Sequence, residues 1–383
     1  MTWKTPGSWN RARRCRCRHC KSLFRPVTHR FLTRATTIVI ISDVEGSVVV
    51  PSTYPPSSAP RFLVDIGGEK FHEYSGYVSD VIVDTTVDGA DHFTLSLIYP
   101  FDHEQVEFAD LTWSTFEPGT AVSIAMGYGE GSGSTAEVFK GEIATIEPTF
   151  PKDQPPSVTI GGYCALANMM DGTTSTSWEE TTLKSIVDEV AGAELDSITI
   201  EDADMQLARV FQNDQTPYRF VNQLAARYGF EFFTSLSEGY FRPSTGGSAP
   251  EDPVATLYYG ESMESFSAVW STPAVGDVEV RYWDVSKKKE ITGSASNSMG
   301  TKKSVYRIPV GSEAEADAVA EGLIGGEDIS GVIDTFGIPS ILAGKVVELD
   351  GVGSKFNNSY YVTNATHRIG ADGYRMTAEV TAL

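Results

Sequence analysis

The residues best equipped for chemistry crowd the start of the chain, where Cys15, Cys17, His19 and Cys20 stand in the run Arg-Arg-Cys-Arg-Cys-Arg-His-Cys. Three thiols and an imidazole, with His29 further on, are soft ligands suited to zinc, yet Cys-x-Cys-x-x-Cys lacks the paired Cys-x-x-Cys knuckles of a structural zinc site. No metal is expected there, and no cofactor elsewhere. Residues 1–35 read instead as a disordered basic arm, or as translation from a start codon placed too far upstream. Cys164 stands alone in an apolar run, so the cysteines supply no disulfide framework for the body of the chain.

Carboxylate pairs such as Glu179/Glu180 and Asp202/Asp204 could in principle divide general acid and base work, but nothing in their surroundings marks one of each pair for a raised pKa. They read as solvated. His72, His92 and His103 are scattered without His-Glu-x-x-His spacing, and His367 is expected to pack or hydrogen-bond within its own hairpin. No Gly-x-Ser-x-Gly, P-loop or dinucleotide fingerprint occurs, and the Gly-rich stretch 127–133 follows a strand without opening a helix. The chain is not expected to be an enzyme.

Charge narrows the partners. Of 30 Lys/Arg and 51 Asp/Glu, residues 1–58 hold ten and two, which leaves 20 and 49, a formal −29, for residues 59–383. Such a body repels polyanions, so nucleic acid is excluded as its partner. Sparse lysine with abundant Asp, Glu, Thr and Gly is the surface expected of a protein from a salt-loving organism, where concentrated ions shrink the Debye length to about 3 Å near 1 M. Membrane insertion is not expected. The run Thr37-Ile-Val-Ile-Ile-Ser42 is far shorter than the roughly 18 apolar residues of a spanning helix, and it reads as a strand ahead of the proline-rich linker 51–60.

The elements that must position the remaining residues are mainly strands. Segments 62–66, 77–83, 92–98, 121–126, 138–146 and 157–160 alternate apolar and polar residues between Gly, Pro or Asp breaks. A helical texture follows. Leu183, Ile186, Val187 and Val190 share a face after Ser177, a candidate N-cap with Glu180 three residues on. Thr216-Pro217 opens a second helix carrying Phe220, Val221, Leu224 and Tyr228, stopped by Gly229. Ser312 to Ile324 reads as a third, packed on the second β-domain. Between Lys287-Lys-Lys and Lys302-Lys303, the stretch 293–300 reads as a flexible loop, either plainly exposed or ordered against an acidic neighbouring subunit.

One phrase occurs twice. Gly119-Thr-Ala-Val-Ser-Ile124 is answered by Gly344-Lys-Val-Val-Glu-Leu349, and each is followed by a Gly-rich turn and a returning strand, Phe139 to Ile146 and Phe356 to Ala365. Both copies read as β-hairpins of two related domains. The expected fold is mainly β (β+α): two tube-like β-barrels, 59–164 and 249–383, flanking a small α/β insertion, 165–248, behind a basic arm and linker, 1–58.

Several of these segments resemble the late-control D and baseplate-hub family of contractile tails and contractile injection systems. Gln212 to Phe230 is similar to the family's polar approach into its "F-L-x-x-L-A-x-x-Y-G" helix, with Phe220, Leu224, Ala225, Tyr228 and Gly229 matching. Phe139 and Gly141 fit its "F-x-G-x-V/I" hairpin, Val158 to Tyr163 the strand closing its first barrel, and Gly344 through Tyr360 to Met376 the hairpins of its second. Cys164-Ala165 stands where many relatives carry Asp-Arg, and residues 1–58 match no part of the family.

The resemblance implies a structural homotrimer assembled in the cytoplasm and then carried in a virion tail or injection particle. Six similar domains around one axis would meet the sixfold inner tube protein on one face and a threefold, separate trimeric spike protein on the other, with other baseplate proteins around them. Two other readings stay open. An all-β adhesin or glycan-binding module would use Trp113, Trp270 and Trp283 as a binding face, and a tail-associated cell-wall hydrolase would depend on one carboxylate.

Overall fold

The computed structural model describes residues 59–109, 111–129, 135–244, 252–271, 275–297, 300–324 and 328–383. The Cys/His cluster, the basic arm and nearly all of the proline-rich linker lie outside them, as does the tip of the Gly-rich stretch.

As expected, the fold is mainly β. The first sheet unit holds β1 (Pro60–Ile66), β2 (Glu69–His72), β3 (Val78–Thr86), β4 (His92–Leu97), the short pair β5 (Phe101–Asp102) and β6 (Glu107–Phe108), then β7 (Ala121–Tyr128), β8 (Thr135–Thr149) and β9 (Ser157–Tyr163). In β4, Phe93, Leu95 and Leu97 are buried while His92 is exposed, the two-residue period that puts one face of a sheet on a core. Each such buried side chain contributes about 1.5–3 kcal/mol.

A middle module follows, with β10 (Thr174–Thr182), α1 (Leu183–Ala191), β11 (Ser197–Ile200), β12 (Gln206–Gln215), α2 (Pro217–Tyr228), β13 (Phe230–Ser235) and β14 (Glu238–Pro243). The second sheet unit opens with β15 (Ala255–Tyr258) and β16 (Met263–Ser271). It is then interrupted by β17 (Val275–Asp284), β18 (Lys289–Ser296), β19 (Lys302–Tyr306) and α3 (Glu313–Leu323). Finally β20 (Asp328–Phe336), β21 (Val346–Asp350), β22 (Asn358–Gly370) and β23 (Gly373–Ala382) complete it.

The two sheet units repeat one strand order. In the first it is β3-β4-β9-β8-β7-β1, and in the second β16-β20-β23-β22-β21-β15. The repeat reaches single bonds. Gly119 N–H donates to the Ile143 carbonyl at 2.8 Å and Ile143 N–H to that of Thr120, while Gly344 donates to Val362 at 2.8 Å and Val362 to Lys345. Bulges recur as well: Val78/Asp80 matches Met263/Ser265, and Ile143/Thr145 matches Val362/Asn364. The units differ at the rim, where β1 runs antiparallel to β7 but β15 runs parallel to β21.

Among the described residues the pairings form one open path rather than two closed rings. The units are joined edge to edge because the second half of β22 pairs with β3. Each unit keeps its own apolar interior. One cluster, around Met263, Ile333, Leu349, Tyr360 and Val380, fills the second unit, and another runs from the first unit through the middle module.

Three local expectations are corrected. The first helix begins at Leu183 under a Thr182 cap that accepts the Ser185 N–H, not at Ser177, because residues 174–182 pair with β12 as a strand. The stretch from Gly293 is not a loop as far as Ser296: it belongs to β18, and the lysines around it bond within the chain, Lys289 to Glu313 at 2.7 Å and Lys303 to Glu279 at 2.6 Å. Helix α3 forms where expected, capped by Ser312, but packs on β17, β18 and α2 rather than on the second sheet unit.

Candidate functional site

The polar chemistry of the molecule gathers where its parts meet. At the join of the two sheet units, Arg368 grips both carboxylate oxygens of Asp80 at 3.0 and 2.8 Å, and Thr366 donates to Asp84. The Thr85 hydroxyl donates to the Ala365 carbonyl and accepts the Ala343 N–H at 3.0 Å, so one side chain ties β3 to β22 and to the turn ahead of β21. His92 lies 3.1 Å from Asp84. Its pKa is raised by the hydrogen bond to that carboxylate. Asp84 itself is held low, because hydrogen bonds from His92 and Thr366 outweigh its burial.

His367 is fully buried beneath this join, with Nε2 2.8 Å from the Ile341 carbonyl and Nδ1 2.8 Å from the Tyr374 hydroxyl. Burial pushes its pKa down to about 4. The ring is therefore neutral, and since a carbonyl only accepts, Nε2 carries the proton and Nδ1 accepts from Tyr374.

Asp91, buried with its carboxylate accepting the Thr86 N–H at 2.9 Å, is pushed up to about 7 by desolvation. The two groups act on stability with opposite signs. Between about pH 4 and 7 the folded chain holds a proton on Asp91 that the unfolded chain releases, so stability falls as pH rises. For His367 only the unfolded chain is protonated between about pH 4 and 6.5, so stability rises with pH. An Asp91→Asn variant keeps the acceptor for Thr86 and removes the falling contribution. Its thermal midpoint should climb more steeply than that of the parent from pH 4 to 6.5, ending several degrees higher near pH 8. Coincident profiles would refute the assignment.

The middle module is fastened to its neighbours by two carboxylates, Glu315 buried and Glu231 nearly so. Helix α2 starts with Thr216 accepting the Arg219 N–H and Pro217 in its first turn, and stops at Gly229 in the left-handed conformation with φ 75°. Phe220, Leu224 and Tyr228 are buried on one face, as their spacing predicts. Tyr228 OH donates to Glu315 of α3 at 3.0 Å, and Glu315 also accepts the Gly311 N–H and faces Arg227 at 3.3 Å. On the other side, Arg242 of β14 is 2.8 Å from Glu231 and donates to the Gly344 carbonyl at 2.8 Å, while Tyr361 OH donates to Glu231 at 2.7 Å. The second unit's repeated hairpin is thereby clamped to the middle module. Glu231 and Arg242 escape sequence reading, their only signal being a charge among aromatic residues, whereas Glu315 is legible as the residue three after the Ser312 cap but not as the partner of Tyr228.

The other family-motif residues lie in the sheet units. Phe139 is buried against Phe93 with ring centroids 5.1 Å apart, and Tyr360 is fully buried. Gly141 lets β8 approach β9, since a Cβ there would lie 2.2 Å from the Tyr163 carbonyl oxygen. Tyr163 itself is half exposed. These residues do not converge on one pocket.

A cleft of about 1160 Å³ lies where Gly119, Lys140, Tyr163 and Cys164 face Asp196 and Leu236 of the middle module. The Cys164 thiol is raised to about 11 by burial and contacts the Thr234 hydroxyl at 3.3 Å, so it resists forming the thiolate a nucleophile requires. Among the described residues no cluster of three His, Cys, Asp or Glu could hold a metal, and no helix is long and apolar enough to cross a membrane. Trp113, Trp270 and Trp283 are exposed but stand on three separate elements of the fold.

The arrangement is shared with tail proteins. A tail protein from Neisseria meningitidis MC58 superposes with TM-score 0.63 at 12% identity, over 84% of this chain and 96% of that one. The 43 kDa tail protein of prophage MuSo2 from Shewanella oneidensis gives 0.61 at 14%, over 84% and 98%. The E. coli c3393 protein, a component of the type VI secretion system with structural similarity to the T4 tail proteins gp27 and gp5, gives 0.53 at 10%, over 84% and 76%. No curated protein sequence matches the chain significantly. The profile of the Alg8 N-terminal domain matches residues 57–304, spanning the first sheet unit, the middle module and the strands through β18. On a fold held in common with phage tail and type VI secretion proteins, the chain thus belongs to the Alg8 N-terminal domain family.

Proposed function

We propose that the protein is the structural hub of a contractile tail or injection-system baseplate: a homotrimer that adapts a sixfold inner tube to a threefold, separate spike. The observation that carries this reading is the repeated strand order of the two sheet units, down to matching hairpin bonds and bulges. Three chains would offer six similar units around an axis, and a closed ring would cover strand edges that a lone chain leaves bare. The work is architectural, carried by buried clamps such as Arg242–Glu231 rather than by a reacting group. The strongly acidic body suits assembly in concentrated salt.

The reading is tested by co-expressing the chain with candidate tube and spike proteins from the same genome and purifying in molar salt. A complex with three hub chains, one tube ring and one spike is expected, loosening as salt falls to millimolar. A hub that binds neither protein at any salt concentration would overturn it.

A further inference from the structure

Resting on that trimer, we infer that neighbouring copies are sewn together by the second half of β8 from one copy pairing antiparallel with β16 of the next, in a fixed register. The template is inside the chain. There, β22 divides one edge between β21 and β3, and its second half meets β3 through Asn364–Thr86, Ala365–Thr85, Thr366–Asp84, His367–Val83 and Arg368–Ile82.

The repeat identifies the counterparts of both strands. Gly141 faces Val122 as Tyr360 faces Val347, and the bulge at Ile143/Thr145 matches that at Val362/Asn364, so Thr145–Thr149 corresponds to Asn364–Arg368. The bulges at Val78/Asp80 and Met263/Ser265 align Ile82–Thr86 with Ser267–Ser271. The inferred seam therefore pairs Thr145 with Ser271, Ile146 with Trp270, Glu147 with Val269, Pro148 with Ala268 and Thr149 with Ser267.

Both edges suit this use. The described pairings place β7 beside β8 only as far as Glu142, and only β20 beside β16. Ser265 to Ser271 reads Ser-Phe-Ser-Ala-Val-Trp-Ser, with no charge and no proline, although Val269 is 65% exposed. Natural edge strands left in water are blunted by lysine, proline or shortness; this one is a template awaiting a strand. On the β8 side Pro148 removes one donor, and Ile146 supplies an apolar side chain to meet Trp270, whose ring lies under Lys355 at 4.0 Å. Because the two edges differ, the contact is head-to-tail, and it closes into the ring of three when each copy is turned by a third of a circle from the last.

The experiment is cross-linking of the full chain in molar salt, with Cys15, Cys17 and Cys20 changed to serine. Glu147→Cys combined with Val269→Cys, treated with a short bismaleimide, should convert the monomer band into dimers and trimers on a denaturing gel. Glu147→Cys with Ser265→Cys, displaced about 13 Å along the strand at ~3.3 Å per residue, should leave it largely intact. A particle of trimer mass that links at neither pair, or better at the displaced one, would overturn the seam and leave the trimer standing. A monomer by light scattering would overturn both.

Discussion

Replacing Arg242 with alanine is expected to lower folding stability by about 3–5 kcal/mol. The guanidinium is almost wholly inside, 2.8 Å from Glu231, and it donates to the Gly344 carbonyl while stacking over Phe233 at 5.1 Å. Its removal leaves the nearly buried Glu231 carboxylate with the Tyr361 hydroxyl as its remaining partner among the described residues. Most of the loss should come from that stranded charge, so Arg242→Met combined with Glu231→Gln should recover much of it. Chemical denaturation of the three proteins measures both effects. If the double variant is no better than Arg242→Ala, the clamp works through its shape and its bond to Gly344 rather than through charge.

The duplicated hairpins allow a second large effect to be read against an internal control. Gly119 and Gly344 stand two residues ahead of equivalent strands, β7 and β21, with φ 86° and 84°, a conformation that costs other residues about 1–2 kcal/mol. A Cβ at Gly119 would meet nothing within 4 Å, whereas one at Gly344 would lie 2.5 Å from the buried Phe233 ring. Gly119→Ala should therefore cost about 1–2 kcal/mol. Gly344→Ala should cost roughly 2–5 kcal/mol, because overpacking a closed site adds to the backbone strain. Equal costs in thermal or denaturant unfolding would mean that Phe233 yields easily and that the hairpin is not held against the middle module as described.

How much of this was legible in the sequence depended on whether the signal was local. Helix α2 could be read whole, since Thr216-Pro217 starts it, Gly229 stops it, and its buried face repeats at helical spacing. The start of α1 could not. Ser177 and Glu180 imitate a capping box, but Glu180 adopts a φ of 48° and Trp178 stacks on Phe220 at 5.3 Å, so pairing with β12 and a tertiary contact override the motif. The small residues after Gly293 mislead for a related reason. They look like loop chemistry, yet a Cβ at Gly293 would lie 2.2 Å from the Ala316 backbone, and smallness there serves the approach of α3 to β18. The hairpin repeat was visible as a phrase. The strand order that makes it meaningful was not, because β22 meets β3 across most of the chain and nothing in either segment names its partner.

Averaging electron micrographs of the isolated particle along its axis, with its mass measured by light scattering, shows whether two units of one strand order let three copies present six. A ring of six similar lobes at the mass of three chains is expected. A single-chain particle, or a ring whose lobes alternate in shape with no sixfold character, would contradict it.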